Sequence, residues 1–242
     1  MTIGDSCEIH PTVVIGDEVT IGNRVSIGPY AVLTGPLDIG DDCWIGAHVT
    51  LGAPPEWIGK VHPRTWKEAS PHKGVVIGAG TVIRELSAVH QGAERTTRIG
   101  RGGFVMNRIS VAHDVQIGED CTIAPSTTFG GHVTMGDGVN LGINTVIHQR
   151  RVIGDRAMVG MGSVIAKDIP PFATVFGNPV TLRGANRMGM ARIGIAEADI
   201  AAVEALYAPG SPGAHADLPE SLAEAFGWWR DLAVKPLVTS FR

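Results

Sequence analysis

Aliphatic side chains recur along this chain every six residues. They fall at Ile3, Ile9, Ile15, Ile21, Ile27, Leu33, Ile39, Ile45 and Leu51, and resume at Ile77, Ile83 and Val89. They then run from Ile99 through Val105, Val111, Ile117, Ile123, Phe129, Met135, Leu141, Ile147, Ile153 and Val159 to Ile165. A helical face repeats every 3.6 residues and cannot produce this spacing. The fifth residue of each six, two before the next aliphatic, is small or β-branched, as at Val13, Val19, Val25, Ala31, Val115, Thr127, Val133, Val139, Thr145 and Ala157. Two inward positions two apart are the alternation of a short strand, and the glycine and polar residues between them are turn formers. Hexapeptide repeats of this kind predict an all-β solenoid, a parallel β-helix whose short strands bury their apolar face only when the next coil stacks on them. Three hexads make one coil, so residues eighteen apart lie above one another at roughly one strand spacing, ~4.8 Å.

The breaks in the period divide the chain. Residues 1–52 are unbroken hexads and read as scaffold. Between Leu51 and Ile77 the period fails over an interval of 26 residues, and the 53–74 stretch, with four prolines and two tryptophans, must leave the solenoid as an excursion. Loops of this length in compact repeats are more often functional or interface-forming than idle. A second excursion spans 91–98, because Val89 and Ile99 are ten apart. Arg84, Arg95, Arg98, Arg101 and Arg108 surround it, readable as a solvated face or as a docking patch for an acidic partner. Hexads then continue to about Ile169, and the turn-rich Pro170 to Pro179 closes the solenoid, which is assigned residues 1–180. Residues 181–242 read as a small α-helical C-terminal region of two or three helices, in segments 183–207 and 218–234 joined by the linker from Pro209 to Gly213.

Composition sharpens this picture. The formal charge of −4 argues against a general nucleic-acid surface, and a solenoid core of stacked Ile and Val needs few aromatics. Cys7, Cys43 and Cys121 all occupy the inward fifth place. Cys7 and Cys43 lie two coils apart, about 9.6 Å, too far for an unstrained disulfide. They read as buried thiols of a reducing compartment. The repeat begins at Ile3 and no apolar run approaches a membrane span, so a cytoplasmic protein is expected.

Candidate chemistry gathers at one corner. Val-Ala-His-Asp (111–114), Phe-Gly-Gly-His (129–132) and Ile-His-Gln (147–149) begin eighteen residues apart, which stacks His113, Gly131, His132, His148 and Gln149 on three successive coils. Neutral imidazole suits proton removal from a hydroxyl near neutral pH, and Asp114 is placed to support it. A Gly130-Gly131 turn can bring a backbone N–H to a developing oxyanion. Together these parts suit acyl transfer without a covalent nucleophile and without a metal.

These motifs, with Asp-Ile-Pro-Pro-Phe (168–172) and Gly-Asn-Pro (177–179), resemble the acyl-carrier-protein-dependent UDP-N-acetylglucosamine O-acyltransferases of lipid A synthesis. The resemblance covers nearly the whole solenoid and is most specific over 104–180. It implies a left-handed β-helix and a homotrimer with active sites between subunits. It implies that His113 is the general base, that Asp114 supports it, and that Gly131 supplies the oxyanion donor. It further implies that His132, His148 and Gln149 contact the substrate, the acyl donor or its phosphopantetheine arm. Asn186 and Arg192 fall where the family has nucleotide-binding or carrier-binding side chains, and Met161 falls at its hydrocarbon ruler, where a bulky side chain shortens the acyl groove. The expected partners are acyl carrier protein, carrying a 3-hydroxyacyl thioester as co-substrate, and a nucleotide sugar. No bound cofactor is expected.

The chain departs from the family pattern in four places. Ser110 stands where the family has a second histidine, the 53–74 insertion replaces a short sugar-binding loop, and the C-terminal region is shorter. Arg151 occupies an inward fifth place, which predicts a local bulge or a second basic contact beside Arg150. Three other readings are open: a coenzyme A-dependent transferase on another acceptor, a non-catalytic hexapeptide scaffold, and a zinc lyase resembling γ-type carbonic anhydrase. The last needs two histidines with four residues between them, a pair this sequence lacks.

Overall fold

Each hexad of the computed structural model is a strand of two to four residues followed by a corner. The structure describes residues 1–58, 72–208, 211 and 218–237. Among these, the strands form three sheets of eight, ten and eight strands. All pairs are parallel except the last, Ala173–Phe176 with Thr181–Ala185. Within the unbroken hexads the partners are the residues eighteen apart, as in Ser110↔Thr128↔Val146 and Val111↔Phe129↔Ile147, and across the two interruptions they are further apart, as in Leu37↔Val75 and Val75↔Thr97. The result is a left-handed parallel β-helix with a small helical region at its C-terminal end.

The core lies inside the coils. Ile45, Leu51, Ile83, Val89, Val105, Val111, Ile123, Leu141 and Ile165 form its aliphatic ladders, and Val25, Ala31, Val115, Val139 and Ala157 fill the fifth places between them. Burying each large aliphatic contributes about 1.5–3 kcal/mol, and only the stacked coils supply that burial. Cys43 and Cys121 are buried and free, whereas Cys7 is half-buried in the first coil. Burial pushes the Cys121 thiol up to about 12, which makes it a small inert hydrophobe. Glycine is required where a corner meets the coil above: a Cβ on Gly142 would lie 2.5 Å from the backbone N of Met161.

Strand Thr50–Ala53 is followed by Val75–Ile77, and Ala88–His90 by Thr97–Ile99. At the start of the 53–74 insertion the register shifts between Val89 and His90, so that His90 pairs with Ala53 and Gly52, at φ +87°, is passed over. Residues 59–71 of this insertion, including Trp66, and most of the Pro209 to Gly213 linker lie outside the described residues. The C-terminal region holds three helices, α1 (Arg187–Arg192), α2 (Glu197–Leu206) and α3 (Glu220–Leu232). Helix α3 buries Leu222, Phe226 and Trp229, three and four residues apart, on one face. Its Trp228 Nε1 donates to Asp155 at 2.9 Å, and Phe226 packs 6.0 Å from Phe172. Among the described residues, no helix is long and apolar enough to cross a membrane.

Arg151 makes neither a bulge nor a basic surface contact. Its neighbours Thr134↔Val152 and Met135↔Ile153 pair without a shift, and its side chain turns inward at 4% exposure. There its Nη1 donates to Asp168 Oδ1 at 3.0 Å. The fully buried Asp168 also accepts from the backbone N–H groups of Val152 and Lys235, and its backbone pairs with Lys235 and Leu237. One buried ion pair therefore ties the last full coil to the C-terminal tail. Removing one partner strands the other charge in the interior, which costs about 3–5 kcal/mol. R151A and D168A should each lose that much in urea unfolding at fixed protein concentration, and the double variant less than the sum of the two.

Candidate active site

The corner between the third and first sheets carries the candidate residues. Adjacent residues of a strand point to opposite sides, but a corner lets them converge. The residue that turns each corner has φ near +60°: Asp114 at 63°, His132 at 61° and Arg150 at 60°. Asp and His are among the few side chains that tolerate this region well. Local backbone preference and candidate chemistry thus ask for the same residue types here.

His113 Nδ1 donates to Asp114 Oδ2 at 2.7 Å. Asp114 is fully buried, and its other oxygen accepts three successive backbone N–H groups, from Ala93 at 3.0 Å, Glu94 at 2.8 Å and Arg95 at 2.7 Å. Burial alone would raise the Asp114 pKa. The N–H groups of Arg95 and Glu94, the His113 hydrogen bond and the nearby His132 outweigh it, and the net direction is down. An anionic Asp114 holds the proton of His113 on Nδ1 and leaves the lone pair on Nε2. That edge of the ring lies against Gly131, where a Cβ would meet His113 Cε1 at 2.7 Å and Nε2 at 2.8 Å. A side chain at this position would push the imidazole out of its place.

His132 stands on the next coil, its Nε2 3.6 Å from Asp114 Oδ2 and its Nδ1 3.9 Å from Glu94. Burial lowers its pKa, helped by Arg150 and His113 and opposed by Asp114 and Glu94, so this imidazole is neutral at pH 7. His113, Asp114 and His132 also offer ligand atoms within 4.8 Å of one another, close enough to hold a metal ion. Asp114 Oδ1 is saturated by backbone donors and Oδ2 is bound to His113, so the carboxylate serves the dyad as the chain stands.

The structure brings His113, Asp114, Gly131 and His132 together. His148 and Gln149 follow on the next coil of the same corner and are exposed, with His148 Nδ1 3.0 Å from the Gln149 carbonyl. Met161 lies at a different corner, after Met158–Val159 of the second sheet, and is 76% exposed. Asn186 caps α1, accepting from Gly189 N, and its amide donates to the Arg156 carbonyl at 2.8 Å. Arg192 is exposed in the last turn of the same helix. Among the described residues, neither Asn186 nor Arg192 shares a hydrogen bond with the corner.

Three contributors escaped sequence reasoning. Arg95, read as part of a charge patch, turns into the site: its Nε donates to the Asp114 carbonyl at 2.7 Å, and its Nη2 to the His132 carbonyl and Thr134 Oγ1. Thr97 Oγ1 accepts from Asp114 N at 2.9 Å. Trp57 stacks on His113, with centroids 5.2 Å apart and planes 16° from parallel. The available signal was that Arg95 and Trp57 sit in the two breaks of the hexad period.

Comparison with known proteins identifies the family and the fold. Residues 1–35 match the family model of the bacterial transferase hexapeptide with six repeats, residues 132–167 that of the hexapeptide repeat of succinyl-transferase, and residues 168–209 that of UDP N-acetylglucosamine O-acyltransferase, domain 2. The acyl-(acyl-carrier-protein)–UDP-N-acetylglucosamine O-acyltransferase of Saccharophagus degradans is 38% identical over 80% of this chain and 80% of its own length. The enzyme of the same name from Syntrophobacter fumaroxidans is 38% identical over 78% of this chain and 72% of its own. Among solved structures, the UDP-N-acetylglucosamine acyltransferase from Campylobacter jejuni has a TM-score of 0.76 at 28% identity, covering 85% of this chain and 78% of that one. The corresponding protein from Bacteroides fragilis, at 23% identity, shares the fold, with a TM-score of 0.84 over 98% of this chain and 95% of its own. With that identity over that coverage, the chain belongs to the family of acyl-carrier-protein-dependent UDP-N-acetylglucosamine O-acyltransferases.

Proposed function

We propose that this chain transfers an acyl group, a 3-hydroxyacyl group by the family resemblance, from acyl carrier protein to a hydroxyl of UDP-N-acetylglucosamine in the cytoplasmic synthesis of lipid A. The observation that carries the reading is the His113–Asp114 dyad, with Nδ1 tied to a buried carboxylate and Nε2 against the backbone of Gly131. His113 Nε2 takes the proton of the acceptor hydroxyl as its oxygen attacks the thioester carbonyl carbon. The carbonyl electrons move onto oxygen, and the Gly131 N–H stabilises that oxyanion. Collapse re-forms the carbonyl, breaks the C–S bond and expels the phosphopantetheine thiolate, which recovers the proton from the imidazolium. His132 is a neutral contact beside the reacting atoms, and His148 and Gln149 extend the site toward the donor. Asn186 and Arg192 are the candidates for nucleotide or carrier contact on the helical region.

A homotrimer fits the outer surface. Trp44 and Phe104 stand on the outer face of the second sheet at 37% and 38% exposure, with Val82 between them, an apolar strip suited to a second copy of the chain. Met161 is the proposed stop of the acyl groove.

Transfer assays with acyl carrier protein and coenzyme A thioesters test the reading. H113A should lose on the order of 10²–10⁴ in kcat/KM on UDP-N-acetylglucosamine. Transfer by H113A at the parental rate would exclude His113 as the base, and a preference for coenzyme A thioesters would reassign the donor. M161G should shift the preferred acyl chain to a longer one, read from competition within a mixture of acyl carrier protein thioesters.

The Asp114 carboxylate links stability to pH. Its folded pKa is depressed, so its contribution is present above the unfolded value near 3.8 and is lost as pH falls through the lower folded value. D114N should therefore unfold more easily than the parent at pH 7, with the difference shrinking in strong acid, as followed by circular dichroism in urea.

A further inference from the structure

The dyad fixes one atom of His113 and leaves the plane of its ring undetermined. A single hydrogen bond from Nδ1 to Asp114 allows the imidazole to tilt about that contact, and each tilt carries Nε2 away from its place beside Gly131. A second constraint is needed, and the first residues of the 53–74 insertion provide it. The indole of Trp57 lies 5.2 Å from the imidazole and within 16° of parallel, covering a face of the ring. His132 stands perpendicular to both rings, 5.0 Å from His113 at 89° and 5.9 Å from Trp57 at 84°. The His113 side chain keeps 12% of its exposure.

Trp57 is itself held. His90, on the coil below His113, has its Nδ1 2.9 Å from the Pro54 carbonyl and its Nε2 3.9 Å from Glu56 Oε2. Pro54 and Pro55 limit the backbone, and Trp57 N donates to the Pro55 carbonyl at 3.0 Å. The indole is thus carried on a short strap fastened to the solenoid. A face-on stack restrains tilt and leaves the in-plane lone pair of Nε2 available.

We propose that Trp57 is a positioning residue for acyl transfer, its indole holding the His113 imidazole in the plane that directs Nε2 at the acceptor hydroxyl. This rests on His113 being the base. It assigns to the start of the insertion a part in catalysis beyond any contact with the sugar.

The experiment compares W57A, W57F and H113A in three measurements: steady-state kinetics with UDP-N-acetylglucosamine and acyl carrier protein thioester, thermal unfolding, and the imidazole NMR resonance that disappears in H113A. A stacked indole shifts that resonance upfield by its ring current, so W57A should move it downfield and W57F should move it less. W57A should lose about 10- to 100-fold in kcat with acceptor KM changed less than about threefold, as expected for a misaimed base, and W57F should regain most of the loss. Parental kcat in W57A, a rise in KM alone, or W57F no better than W57A at unchanged thermal midpoint would overturn the proposal. So would a resonance that stays in place. If instead H113A transfers at the parental rate while the resonance still moves in W57A, the stack stands and the base assignment fails.

Discussion

A strand of two residues cannot hold itself together, and everything in this molecule depends on how such strands are stacked. Within the unbroken hexads each has its partners eighteen residues before and after it, parallel and in register, as in Val111↔Phe129↔Ile147. The register sets the composition of the core, since an inward side chain is covered only by its equivalents on the coils above and below. It also decides which surface residues meet. Asp114, His132 and Arg150 form a column because eighteen residues separate them, although none touches the others along the chain. Where the stack runs out, the constraint weakens, and the Arg151–Asp168 pair occupies the interior of the closing coils.

The corner converts that regularity into chemistry. A regular strand would send His113 and Asp114 to opposite faces, whereas the left-handed turn at Asp114 lets the neighbours bond at 2.7 Å. The carboxylate is buried, and a buried anion is costly unless its oxygens are satisfied. Three backbone N–H groups and one imidazole satisfy it. The same bonds keep it ionised and so fix which nitrogen of His113 carries the proton. Solvation of one carboxylate, the tautomer of its neighbour and the path of the 91–98 excursion are therefore one problem with one solution.

Legibility followed the register. The hexads, the fifth-place cysteines and the convergence of His113, Gly131 and His132 could be read from sequence because a fixed period turns numbering into geometry. Where the period breaks, numbering says nothing about contact. Arg95 looked like one arginine among five on a surface, because only the fold of the excursion brings its guanidinium to the Asp114 and His132 carbonyls. Arg151 looked like a bulge because the fifth-place rule assumes an apolar neighbour, and its partner Asp168 belongs to the closing segment. Asn186 carried a local signal that went unused: an asparagine three residues before Gly189, ahead of a short helical run, reads as an N-cap, and its side chain accepts from that glycine.

The two interruptions of the repeat converge on one imidazole. The 91–98 excursion wraps its N–H groups around Asp114, which governs Nδ1, and the start of the 53–74 insertion lays Trp57 on the ring face. They meet because Val89 and His90, which precede the first of these loops, pair with Leu51 and Ala53, which precede the second. Adjacent coils that each release a loop at the same corner must place those loops side by side, and the next coil up supplies His113. A solenoid made only of perfect hexads would offer His113 a flat, solvated shelf with its tautomer and plane unfixed. The site is built where the repeat fails, and the regular coils supply the rigidity that makes such failures consequential.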